Sequence, residues 1–148
     1  MAYSTRELFA RLIKCEAGGE GENGMKAVAT SIMNRVHISY GEYLRTGGGN
    51  LRNVINQPYQ YTCVMQNAYG EVNPQTVWSS PPDQIHYDIA DWALSGNKHQ
   101  GADDSLWYFN PFLPGCTNYF PPNRSGSYFN TVGQHCFYIP TPLYALTR

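Results

Sequence analysis

A chain of 148 residues is long enough for one domain, whose core buries about two-thirds of the unfolded surface. Its formal net charge of −1 supplies no basic excess of the kind that binds nucleic acid or an anionic membrane, and no stretch has the length and apolarity of a membrane span. Charged residues make up 14% of the chain and aromatics another 14%, with 12 tyrosines, a composition suited to stacking on sugar rings and also seen in structural coat proteins.

Ser4-Thr5-Arg6-Glu7 reads as a capping box that opens a first helix over residues 4–17. Apolar positions 8, 9, 12 and 13 recur at helical spacing, and Glu16 follows Leu12 by four and Ile13 by three, so its carboxylate extends the apolar face. Gly18-Gly19 offers the left-handed conformation that closes a helix. An acid presented there is either a solvated helix-end glutamate or a desolvated general acid whose raised pKa keeps it protonated.

A second helix over 23–37, capped by Glu22 or Asn23, places Met25, Val28, Ala29, Ile32, Met33 and Val36 on one face. The turn between the two helices brings Glu20 toward the same cleft. Arg35, near the end of helix two, reads as a partner of the helix dipole and its last carbonyls. Thr46-Gly47-Gly48-Gly49-Asn50 breaks the chain before a short helix at 51–56. Residues 57–80 read as irregular, with one short strand over Tyr61-Met65. Pro81-Pro82-Asp83 starts a third long helix with Ile85, Ile89, Trp92 and Ala93 at helical spacing and Gly96 at its end. Strands are expected over 105–109 and 135–139, joined by a Pro/Gly/Asn-rich connection. The layout is a single α+β domain over 1–148, helices first and a small antiparallel sheet after them.

The four cysteines, Cys15, Cys63, Cys116 and Cys136, form no C-x-x-C pair and no zinc spacing with His37, His86, His99 or His135. They read as buried thiols, with a bridge between two of them open in an oxidising setting; neither metal nor cofactor is expected.

Several runs, in order, carry a family resemblance. Glu16-Ala17-Gly18-Gly19-Glu20-Gly21, Gly24-Met25-Lys26-Ala27-Val28-Ala29 and Asn34-Arg35-Val36 resemble the opening signature of the SleB/CwlJ-type spore cortex-lytic cell-wall hydrolases. Asn53-Val54-Ile55 with Tyr59-Gln60-Tyr61, Ala93-Leu94-Ser95-Gly96, Trp107-Tyr108-Phe109-Asn110-Pro111 and Gly133-Gln134-His135-Cys136-Phe137-Tyr138 continue it, so that it covers roughly Glu7 to Tyr138. The resemblance implies a lysozyme-like helical lobe carrying the acid. It also implies cleavage of peptidoglycan glycan strands in the spore cortex during germination, on muramic-δ-lactam-bearing strands.

On that reading Glu16 is the proton donor. Glu20, Gln60, Tyr61, Tyr108, Asn110 and His135 are the glycan-binding candidates. A hydrolase needs a second carboxylate, from Glu20, Glu22, Asp103 or Asp104; a lytic transglycosylase needs one acid, because the muramic 6-hydroxyl attacks C1. The family's lytic members are of the single-acid kind. The N-terminus Met1–Arg6 lacks the apolar core of a signal peptide, which resembles the coat-associated members made in the mother cell, sited between coat and cortex and served by a coat protein partner. Rival readings are a non-catalytic glycan-binding or coat-structural protein, and an amidase using Cys136 or Cys15 with His135.

Overall fold

The computed structural model describes residues 3–57, 60–64, 67–68, 71–72, 76–78, 81–111 and 115–147. Helix α1 (Thr5–Ala17) begins where the Ser4 hydroxyl accepts from the Glu7 N–H at 3.1 Å. The reciprocal half of the expected capping box is absent, because the Glu7 carboxylate is drawn to Arg11 instead, at 2.8 Å. Helix α1 closes with Gly18 in the right-handed region (φ −58°), and the left-handed residue of the turn is Gly21 (φ 78°). Helix α2 (Gly21–His37) therefore starts two residues earlier than the sequence predicts, with Glu20 as its N-cap residue.

Helix α3 (Gly41–Gly47) occupies a stretch with no amphipathic run, and it ends at Gly48 and Gly49, both with positive φ. Helix α4 spans Leu51–Asn56, as its spacing predicts, and the Asn50 side chain caps it by accepting from the Asn53 N–H. The strand expected over Tyr61-Met65 is a 3₁₀ turn at Thr62–Val64, while Met65 and Tyr59 lie outside the described residues. Strands β1 (Asn67–Ala68) and β2 (Glu71–Val72) form a minimal antiparallel ladder. In helix α5 (Gln84–Leu94) the buried stripe is His86, Ile89, Ala90 and Ala93. It lies one position round from the predicted face, because the His86 ring turns back to accept from the Asp83 N–H and leaves Ile85 40% exposed.

Strands β3 (Trp107–Phe109), β4 (Gly126–Val132) and β5 (His135–Pro140) form an antiparallel sheet in the order β3-β5-β4. Tyr108 pairs with Phe137, and Val132 with His135 across the β4–β5 turn. Strand period sorts the side chains of β5 onto two faces. Phe137 enters the helical core with Phe9, Leu12, Ile13, Val28 and Ile32, whereas Cys136 and Tyr138 join a second cluster with Tyr43, Trp107 and Tyr144. The α+β class with a helical lobe beside a small antiparallel sheet is as expected. Among the described residues no helix is long and apolar enough to cross a membrane.

The cysteines correct the thiol reading. Cys15 is joined to Cys63 and Cys116 to Cys136, so both pairs are disulfides. The fold brings together partners 48 and 20 residues apart, a proximity that no local spacing announces. The amidase reading falls with this, since a sulfur held in a disulfide is no nucleophile.

Candidate active site

Glu16 sits in the last turn of α1, where the packing of Leu12 and Ile13 against α2 turns this side of the helix toward the sheet. The Tyr108 hydroxyl, on β3, donates to Glu16 Oε1 at 2.8 Å. Cys63 Sγ lies 3.1 Å from the other oxygen, Oε2. Burial pushes the Glu16 carboxyl up; the Tyr108 hydrogen bond and the His135 and Arg35 charges pull it down without cancelling that effect, and Glu20 adds to the rise. Tyr108 is itself raised by burial and by the neighbouring Glu16, so it remains a proton donor to the carboxylate.

Glu20 is buried in the α1–α2 turn, its side chain 5% exposed. Its Oε2 lies 2.6 Å from His135 Nδ1, and its Oε1 accepts from the Gln134 N–H at 2.8 Å. The two groups are packed closely, although among the described residues Nδ1 has no partner aligned for a hydrogen bond. The His135 ring then meets Tyr108 edge-on, with centroids 5.2 Å apart. Two glycines make room for this carboxylate: a Cβ at Gly24 would come within 2.6 Å of Glu20 Cβ, and one at Gly133 within 2.7 Å of Glu20 Oε1. The glycine of the Gly24-Met25-Lys26-Ala27-Val28-Ala29 run thus has a packing cause.

Arg35 departs from its expected role. Its Nε donates to the Leu106 carbonyl at 2.6 Å, outside its own helix, and its guanidinium stacks on the rings of Tyr43 and Tyr61 at 4.7 and 5.0 Å. Burial opposes its charge, but Tyr43, Tyr61, Tyr108 and Glu16 outweigh burial and hold its pKa above the ordinary guanidinium value. Arg35 is therefore a fixed buried cation beside the acid. Gln60 serves it: Gln60 Oε1 accepts from Arg35 Nη1 at 3.3 Å and from the Tyr43 hydroxyl at 2.9 Å. The Tyr61 hydroxyl is buried with no aligned hydrogen-bond partner among the described residues, and burial raises its pKa against the lowering effect of Arg35. Asn110 reaches the same network from the other side, donating to Gln134 Oε1 at 3.3 Å.

All seven residues singled out from sequence, Glu16, Glu20, Gln60, Tyr61, Tyr108, Asn110 and His135, thus fall in one connected cluster. Sequence reasoning missed Cys63 altogether and misassigned Arg35. The apolar run Val28–Val36 places Arg35 on the buried side of α2, but the tyrosines that stack on it come from separate elements. Asp103 and Asp104 stand apart on the loop after α5, with Asp104 3.1 Å from Lys98. Beyond Gln134 a hollow of about 510 Å³ opens at the end of the sheet, lined by Cys116, Asn118, Tyr128, Thr131, Gln134 and Cys136. It borders the cluster at the β4–β5 turn, through Gly133 and Gln134, and at Pro111, which follows Asn110. Chemically, the cluster holds a desolvated acid in Glu16, a hydroxyl that stabilises its ionised form, a second buried carboxylate packed against His135, and a buried cation.

A family model described as Cell Wall Hydrolase matches residues 19–138. A cell wall hydrolase CwlJ of Oceanobacillus iheyensis is 29% identical over 135 residues, covering 91% of this chain and 86% of that protein. The CwlJ of Bacillus subtilis is 28% identical over 137 residues, covering 91% and 84%. Among solved structures, the catalytic domain of the germination-specific lytic transglycosylase SleB from Bacillus anthracis superposes with a TM-score of 0.62 at 24% identity, covering 93% of this chain and 97% of that one. The SleB catalytic domain of Bacillus cereus gives a TM-score of 0.63 at 24% identity, covering 93% and 92%.

Proposed function

The chain belongs to the cell wall hydrolase family, and from that premise we propose that it cleaves peptidoglycan glycan strands as a lytic transglycosylase, with Glu16 as its single acid and base. The observation that carries this reading is the Glu16 carboxyl, raised by burial and held by Tyr108 at 2.8 Å. Protonated Glu16 gives its proton to the leaving N-acetylglucosamine oxygen as the bond to muramic C1 breaks. The carboxylate so formed, now favoured by the Tyr108 hydroxyl and by the Arg35 charge, takes the proton of the muramic 6-hydroxyl as that oxygen closes on C1. The products are a 1,6-anhydromuramic end and a free 4-hydroxyl, with Glu16 again protonated.

Support for one acid rather than two comes from Glu20, the carboxylate that acts on Glu16: both its oxygens are engaged, by His135 and by the Gln134 N–H. Activating a water would require breaking that pairing. Glu20 and His135 are better suited to hold the Tyr108 edge of the site, leaving Asn110 and the partly exposed Tyr108 for glycan contact, while the buried Tyr61 supports Arg35 from beneath. The relatives' names, cell wall hydrolase and germination-specific lytic transglycosylase, support a cell-wall substrate and a role in germination; spore cortex strands with muramic-δ-lactam as substrate, action at the coat–cortex boundary and a coat protein partner complete the same proposal.

Mass spectrometry of fragments released from cortex peptidoglycan tests the reading. Anhydromuramic ends are expected; reducing ends, heavier by one water, would make the enzyme a hydrolase, and intact strands would make the protein a glycan-binding or coat component. A fluorescent fusion made during sporulation is expected to form a shell around the forespore, and uniform mother-cell fluorescence would contradict the location.

A further inference from the structure

Cys63 Sγ and Glu16 Oε2 are 3.1 Å apart, and the sulfur belongs to a disulfide whose other half, Cys15, directly precedes the acid in sequence. A disulfide sulfur has no hydrogen to donate. Against a carboxylate oxygen it sets lone pair on lone pair, whereas against a carboxyl O–H it is a weak acceptor. The other oxygen already takes the Tyr108 proton, so the position open to the proton of the neutral acid is Oε2, on the sulfur side.

The remaining groups that face Glu16 do not change with redox state. Among the described residues they are Tyr108 on β3, His135 on β5, Arg35 on α2, Glu20 in the α1–α2 turn and Tyr61 beside the 3₁₀ turn. The segment carrying Cys63 is held independently of the disulfide as well, since the Cys63 carbonyl accepts from the Val77 N–H at 2.9 Å and the Val77 carbonyl from Arg11 Nη1 at 2.9 Å.

We propose that the Cys15–Cys63 disulfide is a redox-sensitive positioning element for the acid: oxidised, Cys63 favours protonated Glu16; reduced, its thiol donates to the carboxylate and holds Glu16 ionised. The step is a thiol–disulfide exchange with a small dithiol, which delivers two electrons and two protons; the S–S bond breaks, two S–H bonds form, and the dithiol leaves as its own disulfide. The function of this switch rests on Glu16 being the catalytic acid, but the titration it predicts does not. Proton donation is then strongest where disulfides persist, outside a reducing cytosol.

Carbon-13 NMR of glutamate-labelled protein reads the Glu16 titration directly, with Glu16→Gln assigning the resonance. The midpoint is expected to fall by about one pH unit or more when dithiothreitol opens the bridge, since hydrogen bonds to charged acceptors are among the strong ones. Dithiothreitol should act the same way in a Cys116→Ala/Cys136→Ala background. Should reduction unfold the chain, two variants replace it: Cys15→Ala/Cys63→Ser, whose hydroxyl mimics the thiol donor, and Cys15→Ala/Cys63→Ala, which has none. The serine variant is expected to titrate lower than the alanine variant. Equal midpoints in the two variants, or in the oxidised and reduced protein once thiol counting shows the bridge open, would overturn the proposal. Loss of cleavage on reduction with an unmoved midpoint would assign the bridge a structural role only. Activity retained by Glu16→Gln would instead sink the catalytic reading and leave the titration result standing.

Discussion

At the scale of single residues the proposed chemistry rests on Glu16 and Tyr108. Glu16→Gln keeps the shape of the side chain but has no proton to give, so cleavage should fall at least about 100-fold with the circular dichroism spectrum unchanged. Residual activity above a few per cent, measured on cortex fragments, would refute the single-acid assignment. The stability effect has a definite sign. Burial raises the folded pKa of Glu16, so the folded protein binds more protons than the unfolded chain, and stability present at low pH is lost as pH rises through the folded pKa. Glu16→Gln should therefore melt at the same temperature as wild type or higher at neutral pH, and a clear fall in Tm there would argue against a buried, protonated acid. Tyr108→Phe removes the donor to Oε1 and with it a bond worth about 1.5–3 kcal/mol to the ionised form. Its alkaline limb is expected to move to higher pH, while the rate falls roughly 10-fold or more because the carboxylate is a poorer leaving state.

Between elements, Glu20 fastens the α1–α2 turn to the β4–β5 turn, through its contact with His135 and its bond from the Gln134 N–H. Glu20→Gln should lower activity less than Glu16→Gln does, since an amide retains one acceptor and the full volume; equal losses would favour a two-carboxylate hydrolase. Gly133 belongs to the same junction. It has φ 60°, and a Cβ there would stand 2.7 Å from Glu20 Oε1. Gly133→Ala combines a left-handed conformation costing about 1–2 kcal/mol with displacement of a carboxylate held by these two contacts. Both Tm and activity are expected to drop, and wild-type values for both would show that the junction tolerates movement.

For the molecule as a whole, the two disulfides tie parts that differ in role. Cys15–Cys63 links α1 to the segment that carries Gln60 and Tyr61, while Cys116–Cys136 links β5 to the loop that shapes the hollow at the end of the sheet. Closing 20 residues by the second bridge corresponds to about 3 kcal/mol of lost unfolded-state entropy. Cys116→Ser/Cys136→Ser should accordingly lower Tm by roughly 10 °C, seen in thermal melts without reductant, and leave the pH dependence of cleavage unmoved. A shifted pH profile in that variant would mean that this end of the sheet communicates with Glu16.

Helices α1, α2, α4 and α5 were legible because their apolar residues recur at helical spacing, a property of the chain that no tertiary contact has to supply. The place of Glu16 on the α1 stripe was legible for the same reason, but the stripe fits a solvated helix-end glutamate as well, and only the resemblance singled it out as the acid. The ordered short runs located Glu20, Tyr108, Asn110 and His135. Helix α3 and strand β4 were not legible. Gly41–Gly47 has too few apolar positions to show a period, and Gly126–Val132 is an edge strand with most of its side chains exposed, so neither carries a burial pattern strong enough to read. Which cysteines pair, where the Arg35 charge points, that Glu20 holds His135, and that a sulfur rests on the Glu16 carboxyl were decided by tertiary structure alone. Each depends on the distance between elements far apart in the chain, and that distance is set by how the helical lobe and the sheet share Phe137 and their common core.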